Sequence, residues 1–292
     1  MTPADPAPPR EDDPGHPGGL LHIVATPIGN LGDITLRAIE VLKAADRVVA
    51  EDTRRSRALL SHLGIGGKPI DRLDAHAGPA DIDRVVAHLR AGARVALVTD
   101  AGTPVVSDPG TALVQAAIAA GVRVEPIPGA CAAVAALSVS GLVTGAFRFL
   151  GFLPRSGPER REAIGVVVAT PEPVVLYESP QRLAETLADL ARPMPARPAM
   201  VAREITKVHE EMVRGTLAEL ASLDREWIGE ITIVLGPAPA TEAVVVSDEE
   251  IDRRIDEGLA RGRRAKDLAE EIALETSRPR RDVYARIVAR RR

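Results

Sequence analysis

From residue 21 onward the chain alternates short β-branched runs with helical patterns, and this alternation is the tightest constraint on its fold. "LHIVAT" reads as a strand, and "DITLRAIEVLKAAD" as a helix with Asp33 at its N-cap and Leu36, Ile39 and Leu42 on one face. "RVVAED", "RVALVTD" and "VRVEPIP" are further strands, with a short one near "PIDRLDAH". "RRSRALLSHLG", "DIDRVVAHLRAG", "TALVQAAIAAG" and "ACAAVAALSVSG" are the helices of this half. Parallel neighbours require helical crossovers, so the pattern predicts an α/β domain over residues 21–145 with a mainly parallel sheet covered on both faces.

A boundary is expected near "GAFRFLGFLPRSGPERR", which holds Phe147, Phe149 and Phe152, three of the chain's six aromatics, beside a loop rich in Pro, Gly and Arg. A second α/β domain, residues 146–237, follows from strands "PVVLYES", "AMVAREI" and "GEITIVLG" and helices "PQRLAETLADLA" and "TLAELAS", with "TKVHEEMVRG" a polar segment between them. Thr216 with Glu219, and Ser247 with Glu250, have the Thr/Ser-x-x-Glu spacing of a capping box. "PAPATEAVVV" reads as a linker to a helical unit over 247–292, whose last segments, "RAKDLAEEIALETS" and "RPRRDVYARIVARRR", resemble a helix-turn-helix pair. Residues 1–20, acidic and rich in Pro and Gly, read as a disordered tail with neither the basic start nor the apolar stretch of a targeting peptide.

With 292 residues the chain is long enough for two cores, and no apolar run approaches the roughly 18 residues of a membrane span. One cysteine, Cys131, leaves no disulfide framework or multi-cysteine zinc site, which fits a reducing cytoplasm. The net charge of −4 is uneven: residues 261–292 carry eleven Lys/Arg against five Asp/Glu, leaving −10 for the rest. Only the C-terminus is anion-seeking, although surplus arginine on a solvated helical face would look the same.

Ligands of open parallel sheets bind outside the carboxyl ends of the strands. Four loops there place Gly or polar residues where a backbone can approach a ligand: "TPIGN" (26–30), "EDTRRS" (51–56), "DAGTP" (100–104) and "PGACA" (128–132). No G-x-G-x-x-G follows a strand, and "GIGGKP" lacks the Ser/Thr of a P-loop, so ATP hydrolysis and dinucleotide redox chemistry lose support. The six histidines never take metal-binding spacing, and no metal is expected; His76 and His209, which follow strands, remain hydrogen-bonding candidates.

Seven ordered blocks, "VATPIGNLGDITLRAIEVL", "AEDTRRS", "LVTDAGTPVVSDPG", "PIPGACAAVAALSVSGL", "GFLP", "LYESPQRL" and "AREITKVHEE", resemble the tetrapyrrole methylase family, in its branch that modifies ribosomal RNA. The branch commonly has His-Asn-Glu where this chain has His76-Ala77-Gly78. The resemblance implies two α/β domains with a cleft between them that binds S-adenosylmethionine. It further implies methylation of a cytidine ribose 2'-hydroxyl in the 16S RNA of the small ribosomal subunit, by a cytoplasmic homodimer. Carried over residue by residue, the donor site comprises Pro27, Asp100, Gly102, Thr103, Pro104, Val105, Val106, Pro128, Gly129, Tyr177, Glu178 and Ser179; Tyr177 reads equally as an ordinary strand-end aromatic.

A 2'-hydroxyl is a weak nucleophile, so a base or a cation near it is expected. Asp52 or Glu210 would accept the proton, Lys207 would stabilise developing charge, and Arg54 would hold a phosphate; the same cluster reads equally as a salt-bridged interface. Arg155, Arg160, Arg161, Arg263, Arg264, Lys266, Arg280 and Arg281 are the further RNA candidates. Two rival readings are methylation of a tetrapyrrole on carbon, which would need no basic helical appendage, and a ribosome assembly factor without turnover.

Overall fold

The computed structural model describes residues 19–143, 145–238, 248–276 and 279–290. The expected N-terminal tail, most of the linker and the Ser247 capping box lie outside the described residues. The chain forms two compact units, one ending at Gly236 and the other beginning at Pro237.

The first unit opens with β1 (Leu20–Val24), α1 (Leu36–Ala44), β2 (Arg47–Ala50), α2 (Thr53–His62) and β3 (Ile70–Arg72). It continues with α3 (Pro79–Arg90), β4 (Arg94–Val98), α4 (Thr111–Ala119), β5 (Arg123–Ile127) and α5 (Ala132–Ser140). The five strands form one all-parallel sheet in the order β3-β2-β4-β1-β5. Its two faces bury separate clusters, one around Leu21, Val85, Leu89 and Leu97, the other around Val24, Leu42, Val48 and Val98. From the neighbours β1 and β4 the chain leaves in opposite directions, toward β2 and β5, so their carboxyl ends mark a topological switch point. Thr26 and Gly102 form a backbone bridge between the two loops that leave it.

The start of α1 differs from the expectation. A 3-10 turn at Leu31–Asp33 intervenes, and Thr35, not Asp33, is the cap, its hydroxyl accepting the Ala38 N–H at 3.1 Å. The two-residue delay rotates the helix, so that Ala38 and Leu42 are buried and Leu36 is 80% exposed.

The second sheet comprises β6 (Arg148–Phe152), β7 (Val174–Glu178), β8 (Pro198–Arg203), β9 (Glu211–Thr216) and β10 (Ile231–Leu235), in the order β6-β7-β10-β8-β9. Only β6 and β7 run parallel; the other pairs are antiparallel. Helices α6 (Gly157–Ala169), α7 (Pro180–Ala191) and α8 (Leu217–Ala221) belong to this half, and α8 carries the expected Thr216/Glu219 capping box. The principal core here includes Val174, Leu176, Leu183, Leu187, Leu217 and Ile233. The opposite sheet face, with Val175, Met200, Ala202 and Val234, packs against Ala133, Ala136 and Leu137 of α5. Small residues on that helix allow the close approach, and α5 thereby joins the two sheets into one body.

The second unit contains α9 (Asp248–Ala260), α10 (Ala265–Thr276) and α11 (Arg280–Arg290), with its own core of Ile251, Ile255, Leu268, Ile272, Val283 and Ile287. A Cβ at Gly258 would lie 2.4 Å from Leu268 Cδ1, so glycine is what lets α9 and α10 meet closely.

Candidate active site

The loop after β4 is the most constrained segment near the switch point. Gly102 has φ +86°, and Val105 and Ser107 also take positive φ, at 75° and 65°, a conformation that costs an L-residue about 1–2 kcal/mol. Thr103 Oγ1 donates to Ala130 O at 3.0 Å, tying this loop to the one after β5. Gly129 in that second loop approaches β1 closely: a Cβ there would be 2.9 Å from Ala25 Cβ. The Gly151 of β6 leaves room for Ser107, whose Oγ would be 2.8 Å from an added Cβ. Thus loops of the first sheet and strands of the second hold one another in place.

Between them is a cavity of about 400 Å³, within the roughly 300–1,000 Å³ usual for small-molecule sites. Of the twelve expected donor residues it brings together seven: Asp100, Gly102, Thr103, Val106, Tyr177, Glu178 and Ser179. Pro27, Pro104, Val105, Pro128 and Gly129 do not line it. Pro27 and Pro104 are buried and Pro128 and Gly129 exposed, so these residues shape the loops instead.

Electrostatics divides the cavity's acids. Asp100 accepts the Asp52 N–H at 3.2 Å and faces Arg55 at 3.4 Å. Glu178, 3% exposed, turns back into the second half, accepting from the Thr186 hydroxyl at 2.7 Å and pairing with Arg182. Burial, with help from Asp100, raises the Glu51 carboxyl behind the cavity; burial also raises that of Asp108, with Asp100 adding and the Thr99 hydroxyl offsetting part. The Tyr177 hydroxyl, pushed up to about 12 mainly by burial and also by Cys131, accepts the Ala133 N–H at 3.2 Å. Its ring meets Phe149 and Phe152 edge-on, with centroids 5.0 and 5.6 Å away, so Tyr177 is both a packing residue and a cavity wall.

The expected catalytic cluster is rearranged. Asp52 caps α2, accepting the Arg54 N–H at 2.8 Å, and the Arg54 guanidinium holds its carboxyl at about 2, too weak a base to favour proton abstraction. Arg54 points back to Asp52, and Arg55 is the arginine that lines the cavity. Glu210 accepts the Thr206 N–H at 2.6 Å and lies outside the cavity lining. Lys207 pairs with Glu204 at 2.8 Å and Glu230 at 3.0 Å. Burial works against its ammonium, but these two hydrogen bonds more than offset that and its pKa lies above the ordinary value. Lys207 is thus paired within the second half and does not line the cavity. Its stem lies against Gly29, where a Cβ would be 2.4 Å from Lys207 Cγ, and Asn30 N donates to Thr206 Oγ1 at 3.1 Å.

His76 and His209 are exposed and do not line this cavity. Ala77 packs on the first core and Gly78 begins α3, its N–H donating to Asp81, so the departure at 76–78 serves a helix start here. Arg155 and Arg161 are exposed, whereas Arg160 is interior, bonded to Asp189, Thr186 and Pro154 O, because "GPERR" begins α6 instead of continuing a loop. That arginine is unavailable to RNA. In the C-terminal unit Arg264, Lys266, Arg280 and Arg281 are exposed, with Arg280 facing Glu270; Arg263 pairs with Glu271. Among the described residues no group of three or more His, Cys, Asp or Glu is placed to hold a metal, and no helix is long and apolar enough to cross a membrane.

Residues 20–221 match the family described as Tetrapyrrole (Corrin/Porphyrin) Methylases. The chain belongs to this family. Its sequence is similar to two proteins named Ribosomal RNA small subunit methyltransferase I. That of Halalkalibacterium halodurans is 42% identical over 91% of this chain and 93% of its own length. That of Xylella fastidiosa is 44% identical over 91% and 98%. Solved structures share the fold: uroporphyrin III C-methyl transferase from Thermus thermophilus, with a TM-score of 0.55 at 22% identity over 75% of this chain and 97% of that one, and diphthine synthase, with 0.58 at 20% over 75% and 90%. A structure of the Thermus thermophilus enzyme complexed with S-adenyl homocysteine matches with a TM-score of 0.52 at 22% identity over the same shares.

The cavity of this tetrapyrrole methylase fits S-adenosylmethionine. Ile28, Val106, Ile205 and Ile231 offer apolar surface for an adenosyl group, while Asp100 offers negative charge for a ligand carrying ammonium and sulfonium groups. Gly102 brings no side chain to the wall beside Ile28. Most lining residues absent from the expected set still fall in quoted blocks: Ile28, Arg55, Ala101, Ser107, Asp108, Cys131, Ala132, Phe152, Pro180 and Ile205. Gly229, Glu230, Ile231 and Thr232 had no such signal. They stand at the amino end of an antiparallel strand, where a rule about carboxyl ends does not look.

Proposed function

We propose that this chain transfers the methyl group of S-adenosylmethionine to a cytidine ribose 2'-hydroxyl in the 16S RNA of the small ribosomal subunit. The observation that carries the reading is the cavity at the switch point, walled by "DAGTP" and by β7 and β10, in a chain 42% and 44% identical to proteins named for small-subunit RNA methylation. The donor supplies a methyl carbon activated by a sulfonium leaving group. The protein has to align a ribose oxygen with it, and positioning alone contributes several kcal/mol. Asp100 and Gly102 hold the donor side, Tyr177 and Phe152 exclude water, and Arg55 at the mouth faces an incoming phosphate.

The test is ribose-methylation mapping of 16S RNA from a strain lacking this chain, with and without its return. One 2'-O-methylcytidine should disappear and reappear. Unchanged RNA, with methyl transfer to a tetrapyrrole by the purified chain, would favour carbon methylation instead. The reading includes a cytoplasmic homodimer, for which Val134, Val139 and Phe147 leave exposed apolar surface; light scattering at twice the chain mass is the expected result.

RNA binding should draw on residues 261–292 of the C-terminal unit, which carry +6, because residues 1–260 carry −10. Reversing Arg264, Lys266 and Arg281 to Glu should weaken binding to the small subunit and lower the salt slope of log K by about 0.7 for each lost contact with single-stranded RNA, about 2 in all. Donor affinity should stay the same. Filter binding across a salt series decides it: a full slope in the folded variant would make this unit a packing element only.

A further inference from the structure

Four carboxylates line the cavity among the described residues: Asp100, Asp108, Glu178 and Glu230. Three are engaged by cations, Asp100 by Arg55, Glu178 by Arg182 and Glu230 by Lys207. Asp108 has no cationic partner within ion-pair distance in the described structure. We propose that Asp108 is the proton acceptor for the attacking ribose hydroxyl, an inference that rests on the ribose reading above.

The placement of Asp108 follows from its loop. Positive φ at Val105 and Ser107 folds "VVSDPG" over the cavity, and Gly110, at φ +129°, returns the chain to α4 beneath it; a Cβ at Gly110 would meet Leu97 Cδ2 at 2.9 Å. The groups that face Asp108 are Asp100 on the same loop, Glu51 after β2, and Tyr177 at the end of β7. Arg55 is turned to Asp100. Tyr177 is kept protonated by burial and its oxygen is occupied by the Ala133 N–H, so it does not compete as a base. Burial keeps the Asp108 carboxyl above the usual aspartate range, which makes it the better base once ionised.

The step balances without another reactant. As O2' attacks the methyl carbon, the O–C bond forms and the C–S bond breaks, with its electron pair going to sulfur. The hydroxyl proton passes to a carboxylate oxygen of Asp108 and from there to solvent. A positioned base of this kind contributes about 10²–10⁴-fold in rate.

The experiment uses the full chain with small subunits as substrate, and compares wild type, Asp108→Asn and Asp108→Glu. Calorimetry with S-adenosylhomocysteine should give Asp108→Asn a Kd within about twofold of wild type, while its kcat falls by about 100-fold or more. Carboxyl ¹³C NMR of aspartate-labelled wild type should show one resonance, lost in Asp108→Asn, that titrates above the ordinary aspartate value of about 3.9. The acid limb of the wild-type rate profile should coincide with that titration and be absent from Asp108→Asn. Asp108→Glu, which keeps the carboxylate, should recover at least about a tenth of the wild-type rate and secure the result if the Asn variant fails to fold. A full rate in Asp108→Asn overturns the proposal, and so does a loss of donor affinity as large as the loss of rate, which would make Asp108 a grip on the donor's positive charge. Alkali resistance of the methylated linkage in wild-type product reports the ribose reading separately: cleavage there sinks both, whereas resistance with an active Asp108→Asn sinks only this inference.

Discussion

Gly102→Val abolishes S-adenosylmethionine binding while leaving the chain folded; this is the expected result with the largest effect on the ligand. Gly102 lines the cavity at φ +86°, and a Cβ there would already stand 3.3 Å from Ile28 Cγ2. Branching adds two methyl groups in the space the donor requires. The strain of a left-handed valine costs about 1–2 kcal/mol, small beside a typical total stability of about 5–15 kcal/mol. Calorimetry should therefore show at least about a hundredfold loss of affinity, roughly 2.7 kcal/mol, with circular dichroism unchanged. Gly102→Ala should lose less, since it adds one methyl. Wild-type affinity in the valine variant would show that the donor does not lie against this loop.

The largest effect on stability is expected at Arg197, which no motif marked. Its side chain is 0% exposed and donates to the carbonyls of Val167, Thr170, Glu172 and Gly236 at 2.8–3.1 Å, with Met194 Sδ at 3.4 Å. Burial lowers its pKa, yet a guanidinium surrounded by carbonyl dipoles remains charged at neutral pH. Arg197→Ala removes the donors of four carbonyls at once, each costing about 1–3 kcal/mol if left dry. Water entering the vacated space recovers part of that, so the net loss should be about 3–5 kcal/mol, or about 10 °C in Tm for a unit of this size. Calorimetric unfolding should also find Arg197→Lys well below wild type, because an ammonium cannot reach four acceptors in that plane. A Tm within about 2 °C of wild type for the alanine variant would contradict this account.

The sequence read the first half well because each of its strands ends in a recognisable turn and each helix buries one face. The second half was harder for identifiable reasons. β9, "EMVRGT", is an edge strand, and edge strands carry charges that hide their pairing. β6, "RFLGF", has no β-branched residue to mark it as a strand, and its register shifts between Phe149 and Gly151. In α6 the charged residues come first and the apolar ones last, so no helical period is visible, and Arg160 turned inward could not be told from its exposed neighbours Arg155 and Arg161. For the site, strand-end reasoning found the loop but not the direction of its side chains. Nothing in "EDTRRS" tells that the first of its two arginines would fold back on Asp52 and the second face the cavity. The second aspartate of "DAGTPVVSD" was in view from the start, yet only the count of cationic partners separates it from the first.

The seat of α5 on the second sheet has a thermodynamic consequence. A cavity whose walls are drawn from two sheets exists only while both are folded and docked, so its ligand acts as a linker between halves that share no continuous strand. Ligand present at a hundred times its Kd adds about 2.7 kcal/mol to the folded state. That increment falls on the whole of residues 19–236 and not on the loop that touches the ligand. Protection of the far edge strands β3 and β9 against amide exchange would then report occupancy of a cavity that neither of them lines.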